Sequence, residues 1–139
     1  MEWLKYFFSR GPKNTVKLKD GTNFLYSGPW QKLAELPTYT LIDRFYLGEF
    51  CAAEYTIVAD FDTANREIIK AIVVAGEQKA DITLFGRSNL GQHILDISAT
   101  VNASYVDVSV RPQQEDSTNM AGAKVFFQAT YFKTINPPR

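Results

Sequence analysis

Cysteine and histidine are almost missing from this chain: its 139 residues hold one of each, Cys51 and His93. A single cysteine excludes an intrachain disulfide and any cysteine-based metal cluster, and it suits a reducing compartment. With a single histidine, any Ser-His-Asp or Cys-His arrangement has to pass through His93. No nucleophile motif accompanies that residue, so it reads as a structural or surface side chain. Cys51 stands among Phe50, Ala52 and Ala53 and reads as a small hydrophobe. Net charge is missing too. The 15 basic and 15 acidic side chains cancel, so no global field steers the chain toward nucleic acid or an anionic membrane.

Long apolar runs are also absent. None approaches the ~20 residues that span a bilayer. The apolar stretch within Met1 to Phe8 falls short of a signal-peptide core of roughly 7–15 residues, and no small-residue cleavage site follows it. The chain is expected to be neither secreted nor membrane-spanning. Gly86 and Gly91 form neither a phosphate-binding loop nor a dinucleotide fingerprint, and no cofactor is implied.

Carboxylates come closest to a catalytic or metal-binding signal. Asp60, Asp62, Asn65 and Glu67 crowd one turn. A calcium loop counted from Asp60 needs glycine at its sixth position and a bidentate acid at its twelfth; Asn65 and Ala71 stand there instead. A glycosidase pair needs a second carboxylate across a cleft, and nothing in the sequence supplies one. The cluster reads as a solvated turn.

What the chain does have is short strands. Apolar residues make up 45% and charged residues 22%, a globular balance that argues against disorder. Turn pairs such as Gly11-Pro12, Asp20-Gly21, Gly28-Pro29 and Arg111-Pro112 punctuate runs rich in Val, Ile, Thr, Tyr and Phe. Within the runs apolar residues alternate with polar ones, as half-buried antiparallel strands require. Tyr55, Ile57, Ala59 and Phe61 share one face; so do Leu95, Ile97, Ala99 and Val101; so do Val106, Val108 and Val110; and so do Val125, Phe127, Ala129 and Tyr131. Residues 63–76 fit either a capped helix or a fully buried strand. Ile68, Ile69, Ile72, Val73 and Val74 are β-branched and favour the strand, with turn chemistry in DTAN before it. The expected fold is an all-β antiparallel sandwich, jelly-roll or immunoglobulin-like, over residues 37–139.

Residues 1–36 lack that periodicity and read equally as an arm or small hairpin that docks on a neighbour and as chain that packs on its own sandwich. Lys5, Arg10, Lys13, Lys17 and Lys19 make a basic arm threaded with Trp3, Tyr6, Phe7 and Phe8. Cations beside aromatics bind single-stranded nucleic acid, but five cations without a basic sheet face make that partner unlikely, and docking on protein fits equally well. Aromatic residues reach 14% of the chain, more than one sandwich core needs, and rigid aromatic area is enriched at interfaces. The candidate interface residues are Trp3, Tyr6, Phe7, Phe8, Trp30, Phe45 and Tyr46. For Phe45 and Tyr46 the competing reading is that they face the core.

From Leu36 to Asn136 the chain resembles a small structural-protein domain of T-even-like myophages of marine bacteria, including cyanobacteria. The resemblance is carried by LPTYTLIDRFYLGEFCAAEYTIVADFDTANREIIK, ITLFGRSNLG, ISATVNASYVDVSV and AGAKVFFQATYF with its KTINP ending. It implies a virion component and transfers no functional residues. The function expected is a non-enzymatic virion structural protein of tail, baseplate or neck, assembled in the host cytoplasm with other virion proteins and with copies of itself. The alternatives are a capsid decoration protein, a carbohydrate-binding sandwich in which Tyr26, Trp30 and Tyr39 stack on sugars, and a small hydrolase using the acidic turn. Because the turn lacks the calcium-loop pattern, a calorimetric titration of calcium into the protein is expected to give only dilution heats; micromolar affinity would overturn that reading.

Overall fold

The alternating pattern becomes ten antiparallel strands in the computed structural model, which describes residues 15–17, 23–113 and 120–136. In chain order these are β1 (Thr15–Lys17), β2 (Asn23–Ser27), β3 (Gln31–Lys32), β4 (Thr40–Tyr46), β5 (Phe50–Asp62), β6 (Asn65–Ala75), β7 (Ala80–Leu90), β8 (Leu95–Asn102), β9 (Tyr105–Pro112) and β10 (Lys124–Lys133). No helix occurs among the described residues, and so none there is long and apolar enough to cross a membrane. A seven-stranded sheet runs β1-β2-β10-β5-β6-β7, with β3 also paired to β10. A three-stranded sheet runs β4-β9-β8. The two pack over one shared apolar core, giving an all-β antiparallel sandwich.

The inward faces follow the sequence pattern closely. Tyr55, Ile57 and Ala59 are buried, as are Val106, Val108 and Val110, and Val125, Phe127, Ala129 and Tyr131. Leu95 is buried, with Ile97, Ala99 and Val101 packed against the same core. Each large apolar side chain so buried contributes roughly 1.5–3 kcal/mol. Phe61 departs from the pattern: the register shifts between Asp60 and Asp62, and its ring is exposed at the end of the ladder. The turn that follows is tied by the Asp62 carboxylate. Its Oδ1 accepts from the Ala64 amide at 2.8 Å and from Asn65 Nδ2 at 3.0 Å, and these donors hold that carboxyl below the usual range.

Residues 65–75 form a strand, as their β-branched content favours, but the strand is not fully buried. Ile69, Ala71 and Val73 face the core while Ile68, Ile72 and Val74 face outward. Residues 23–36, which the sequence left open between a docking arm and packing on the sandwich, contribute Tyr26 and Leu33 to the core. The reason lies in the edge of β10, whose backbone groups need partners. Both β2 and β3 line that edge, and the Leu33 amide donates to the Ala123 carbonyl at 2.8 Å. Gly28 lets the chain step between them: its amide donates to the Phe127 carbonyl, and a Cβ there would come within 2.2 Å of the Phe127 ring.

Among the described residues, two carboxylates are buried. Asp43 is carried by β4 of the small sheet, where a register shift between Leu41 and Asp43 turns both Ile42 and Asp43 inward. Its Oδ2 accepts from Tyr55 Oη at 2.7 Å and from Tyr131 Oη at 2.6 Å, both on the large sheet. Glu67, on β6, clasps the chain where it crosses between sheets. Oε1 accepts from the Ile94 and Leu95 amides at 3.1 and 3.0 Å. Oε2 lies 2.9 Å from Arg87 Nη1 and 3.1 Å from His93 Nδ1. His93 is thus a structural histidine, packed against a buried acid. Removing such acceptors strands buried donors. Urea unfolding is expected to show a loss of about 2–4 kcal/mol for Asp43→Ala and about 3–5 kcal/mol for Glu67→Ala. Glu67→Gln, which keeps an oxygen for the two amides, is expected to lose less.

Candidate protein interface

A sandwich has two outer faces, and here they differ in chemistry. The small sheet turns mostly polar, internally paired side chains outward, with Leu41 exposed among them. Arg44 donates to Asp107 through Nε at 2.6 Å and Nη2 at 3.1 Å, which holds the Asp107 carboxyl below its ordinary range. Arg111 lies 3.6 Å from Asp96. Tyr46 packs on Tyr105 with ring centroids 5.5 Å apart.

The large sheet presents something else. Strand pairing sets the outward side chains of β10, β5, β6 and β7 in five rows across the sheet. The first is charged: Lys124, Asp60, Arg66 and then Leu90. The second is apolar: Phe126, Val58, Ile68 and then Ser88. The third holds Gln128, Thr56, Lys70 and Gly86, and the fourth Thr130, Glu54, Ile72 and Thr83. The fifth returns to apolar character with Phe132, Ala52 and Val74, ending on Asp81. Ile68 is 43% exposed, Ile72 46% and Val74 56%, while Phe126 and Phe132 are also exposed. Shallow grooves run between the rows, one between Ile72, Val74 and Phe132 and another between Val58, Ile68 and Leu90. Single exposed apolar residues are ordinary, but two apolar rows on one face, each beside a groove, mark a contact surface.

Ordinary sandwich strands put polar residues outside, so this arrangement is written in two stretches that break alternation. NREIIKAIVVA in β6 is apolar on both faces, and KVFFQATYFK in β10 carries Phe126 and Phe132 among its outward polar residues. The β-branched run was visible in the sequence but pointed to full burial. Its outward half, and the two phenylalanines, were missed.

The residues singled out from sequence do not converge on one site. Trp3, Tyr6, Phe7 and Phe8 lie outside the described residues. Trp30 is 54% exposed beside the charged row, with Lys124 Nζ 4.8 Å from its ring centroid. Phe45 is a correction: it is fully buried, because it shares the inward parity of Asp43 on β4, and its ring lies 5.8 Å from that of Tyr131. Tyr46, its outward neighbour, is half-buried on the small sheet. Of the three aromatics weighed for sugar stacking, Tyr26 is in the core. Tyr39 is exposed, but it sits under Arg111 of the small sheet at 4.6 Å, whereas Trp30, just before β3, lies against Lys124 of β10.

The acidic turn is spent on its own structure. Asp60 pairs with Arg66 at 3.0 Å, Asp62 ties the turn, and Glu67 faces inward to its four donors. No group of three or more His, Cys, Asp or Glu side chains placed to hold a metal occurs among the described residues.

No protein-family model and no curated protein matches the chain. Among solved structures it is similar to tailspike proteins of Acinetobacter phages. One is the tailspike gp49 of Acinetobacter baumannii bacteriophage Fri1, a capsular polysaccharide depolymerase, with a TM-score of 0.52 and 9% identity over 98% of this chain and 22% of that one. The tailspike of phage vB_ApiP_P1 gives 0.49 and 11% over 82% and 22%. That of Acinetobacter baumannii phage AM24 gives 0.44 and 12% over 81% and 26%. The chain thus spans about a quarter or less of the length of these proteins. At 9% identity, the likeness to the Fri1 tailspike is a likeness of fold.

Proposed function

We propose that this chain is a non-enzymatic structural module of a phage virion, in tail, baseplate or neck, held to its neighbours through the outer face of the large sheet. One observation carries the reading: that face exposes two apolar rows with a charged row at one end, while the outer face of the small sheet, apart from Leu41, carries polar side chains and paired tyrosines. Water-exposed apolar surface of this extent gives up roughly 25 cal/mol for each Å² it buries, so the face gains by being covered. The fold it shares with a phage tailspike module, and the resemblance of residues 36–136 to myophage structural domains, support placing the partner in a virion. The buried acids support a structural part for them, since both are saturated by donors of the chain itself.

A carbohydrate-binding role is the second reading, and the exposed indole of Trp30 favours it. The two separate experimentally. Mass spectrometry of gradient-purified particles from the phage genome encoding this chain is expected to find it retained through a high-salt wash; its absence from particles would sink the virion reading. On a glycan array the protein is expected to bind nothing that Trp30→Ala abolishes, and incubation with capsular polysaccharides is expected to release no new reducing ends.

A further inference from the structure

We propose that the occupant of the outer face is a second copy of the chain, packed face to face about a two-fold axis that runs parallel to the strands between β5 and β6. This rests on the reading of that face as an assembly surface. An isologous interface must be self-complementary, and the rows of this face are. Such an axis lays each β5 residue over the partner's β6 residue of the same row. Within the rows set by strand pairing, Val58 meets the partner's Ile68 and Ala52 meets the partner's Val74, apolar on apolar. Asp60 meets the partner's Arg66, and the partner's Asp60 meets Arg66. The intrachain Asp60–Arg66 pair thereby becomes an alternating ring of four charges. Glu54 falls over the partner's Ile72, one row from the partner's Lys70 and within reach of it as a long side chain.

The alternative two-fold, running across the strands midway along the grid, fails on the same rows. It sets Lys70 on the partner's Lys70 and Asp60 on the partner's Ala52. Packed sheets cross at about 30°, so pairing holds best next to the axis, and β5 and β6 are the strands that flank it. Four strands roughly 4.8 Å apart and five rows roughly 6.8 Å apart cover on the order of 650 Å². A standard interface takes roughly 800 Å² from each partner, so the grid with its rim is of dimer size.

The test is the solution mass of the full chain by light scattering after size exclusion, with a reciprocal pair of charge reversals. The wild type is expected to be a dimer. Asp60→Arg alone makes the ring all basic, and Arg66→Asp alone makes it all acidic. Each is expected to raise the dimer dissociation constant by about 100-fold or more and to leave a folded monomer by circular dichroism. Mixed, the two variants are expected to form a one-to-one heterodimer, because an all-basic face then meets an all-acidic one. Val74→Lys, at a position already 56% exposed, is expected to give a folded monomer without touching the ring. A wild type that stays monomeric at high micromolar concentration overturns the proposal and gives the face to a different protein, while detection in purified particles still decides the virion reading independently. An oligomer indifferent to these substitutions, or variants that do not complement on mixing, overturns it as well.

Discussion

Asp43 carries a carboxylate in the space between two sheets, and the hydroxyls of Tyr55 and Tyr131 both donate to the same oxygen of it. The acid belongs to the small sheet and the tyrosines to the large one, so these bonds fasten one layer to the other. Apolar contacts drive the layers together but have no direction; two short hydrogen bonds to one carboxyl oxygen do. The rings that carry those hydroxyls also build the core around them. Tyr131 packs on Phe45, Phe50 and Tyr26, and Tyr55 packs on Phe127 and Tyr131. One misplaced strand would disturb both the packing and the bonds. The bulge before Asp43 is what lets an acid sit where regular alternation had been carrying Leu41 outward.

With the sheets fastened in this way, the described residues cover only one side of the large sheet. Its inner face is spent on the small sheet; its outer face keeps Ile68, Ile72, Val74, Phe126 and Phe132 exposed. Glu67 works to the same end from the other side of β6. By holding the Ile94 and Leu95 amides it fixes the crossover from β7 to β8, which sends the chain onward into the small sheet. The chain's chemistry is therefore concentrated in two polar anchors that fix the fold and one apolar surface that the fold leaves uncovered. That division suits a part whose work is to hold neighbours in place.

Much of this was legible in the residues. Strands alternating with period two announced the inward faces of β5, β8, β9 and β10, because a pleated strand sorts its side chains by parity. The turn at Asp62 was legible for a local reason, since its side chain bonds amides two and three positions on. Less legible was everything that depends on pairing between distant strands. That Asp43 would be buried follows from a bulge and from tyrosines 12 and 88 positions away. That residues 23–36 join the sandwich follows from the open edge of β10, which no local pattern reveals. Phe45 and Tyr46 looked alike in DRFYLGEF, and parity alone sent one ring to the core and its neighbour outward.

By itself, then, the sequence determined which segments are strands and which of their faces are apolar, because those are properties of a few consecutive side chains. The run from Ile68 to Val74 already declared two apolar faces. Only the tertiary structure decided which of them would be covered, because a three-stranded sheet can shield just one side of a larger one. A strand apolar on both sides has the same sequence whether it is destined for the middle of a core or for an interface; the difference lies in what packs against it.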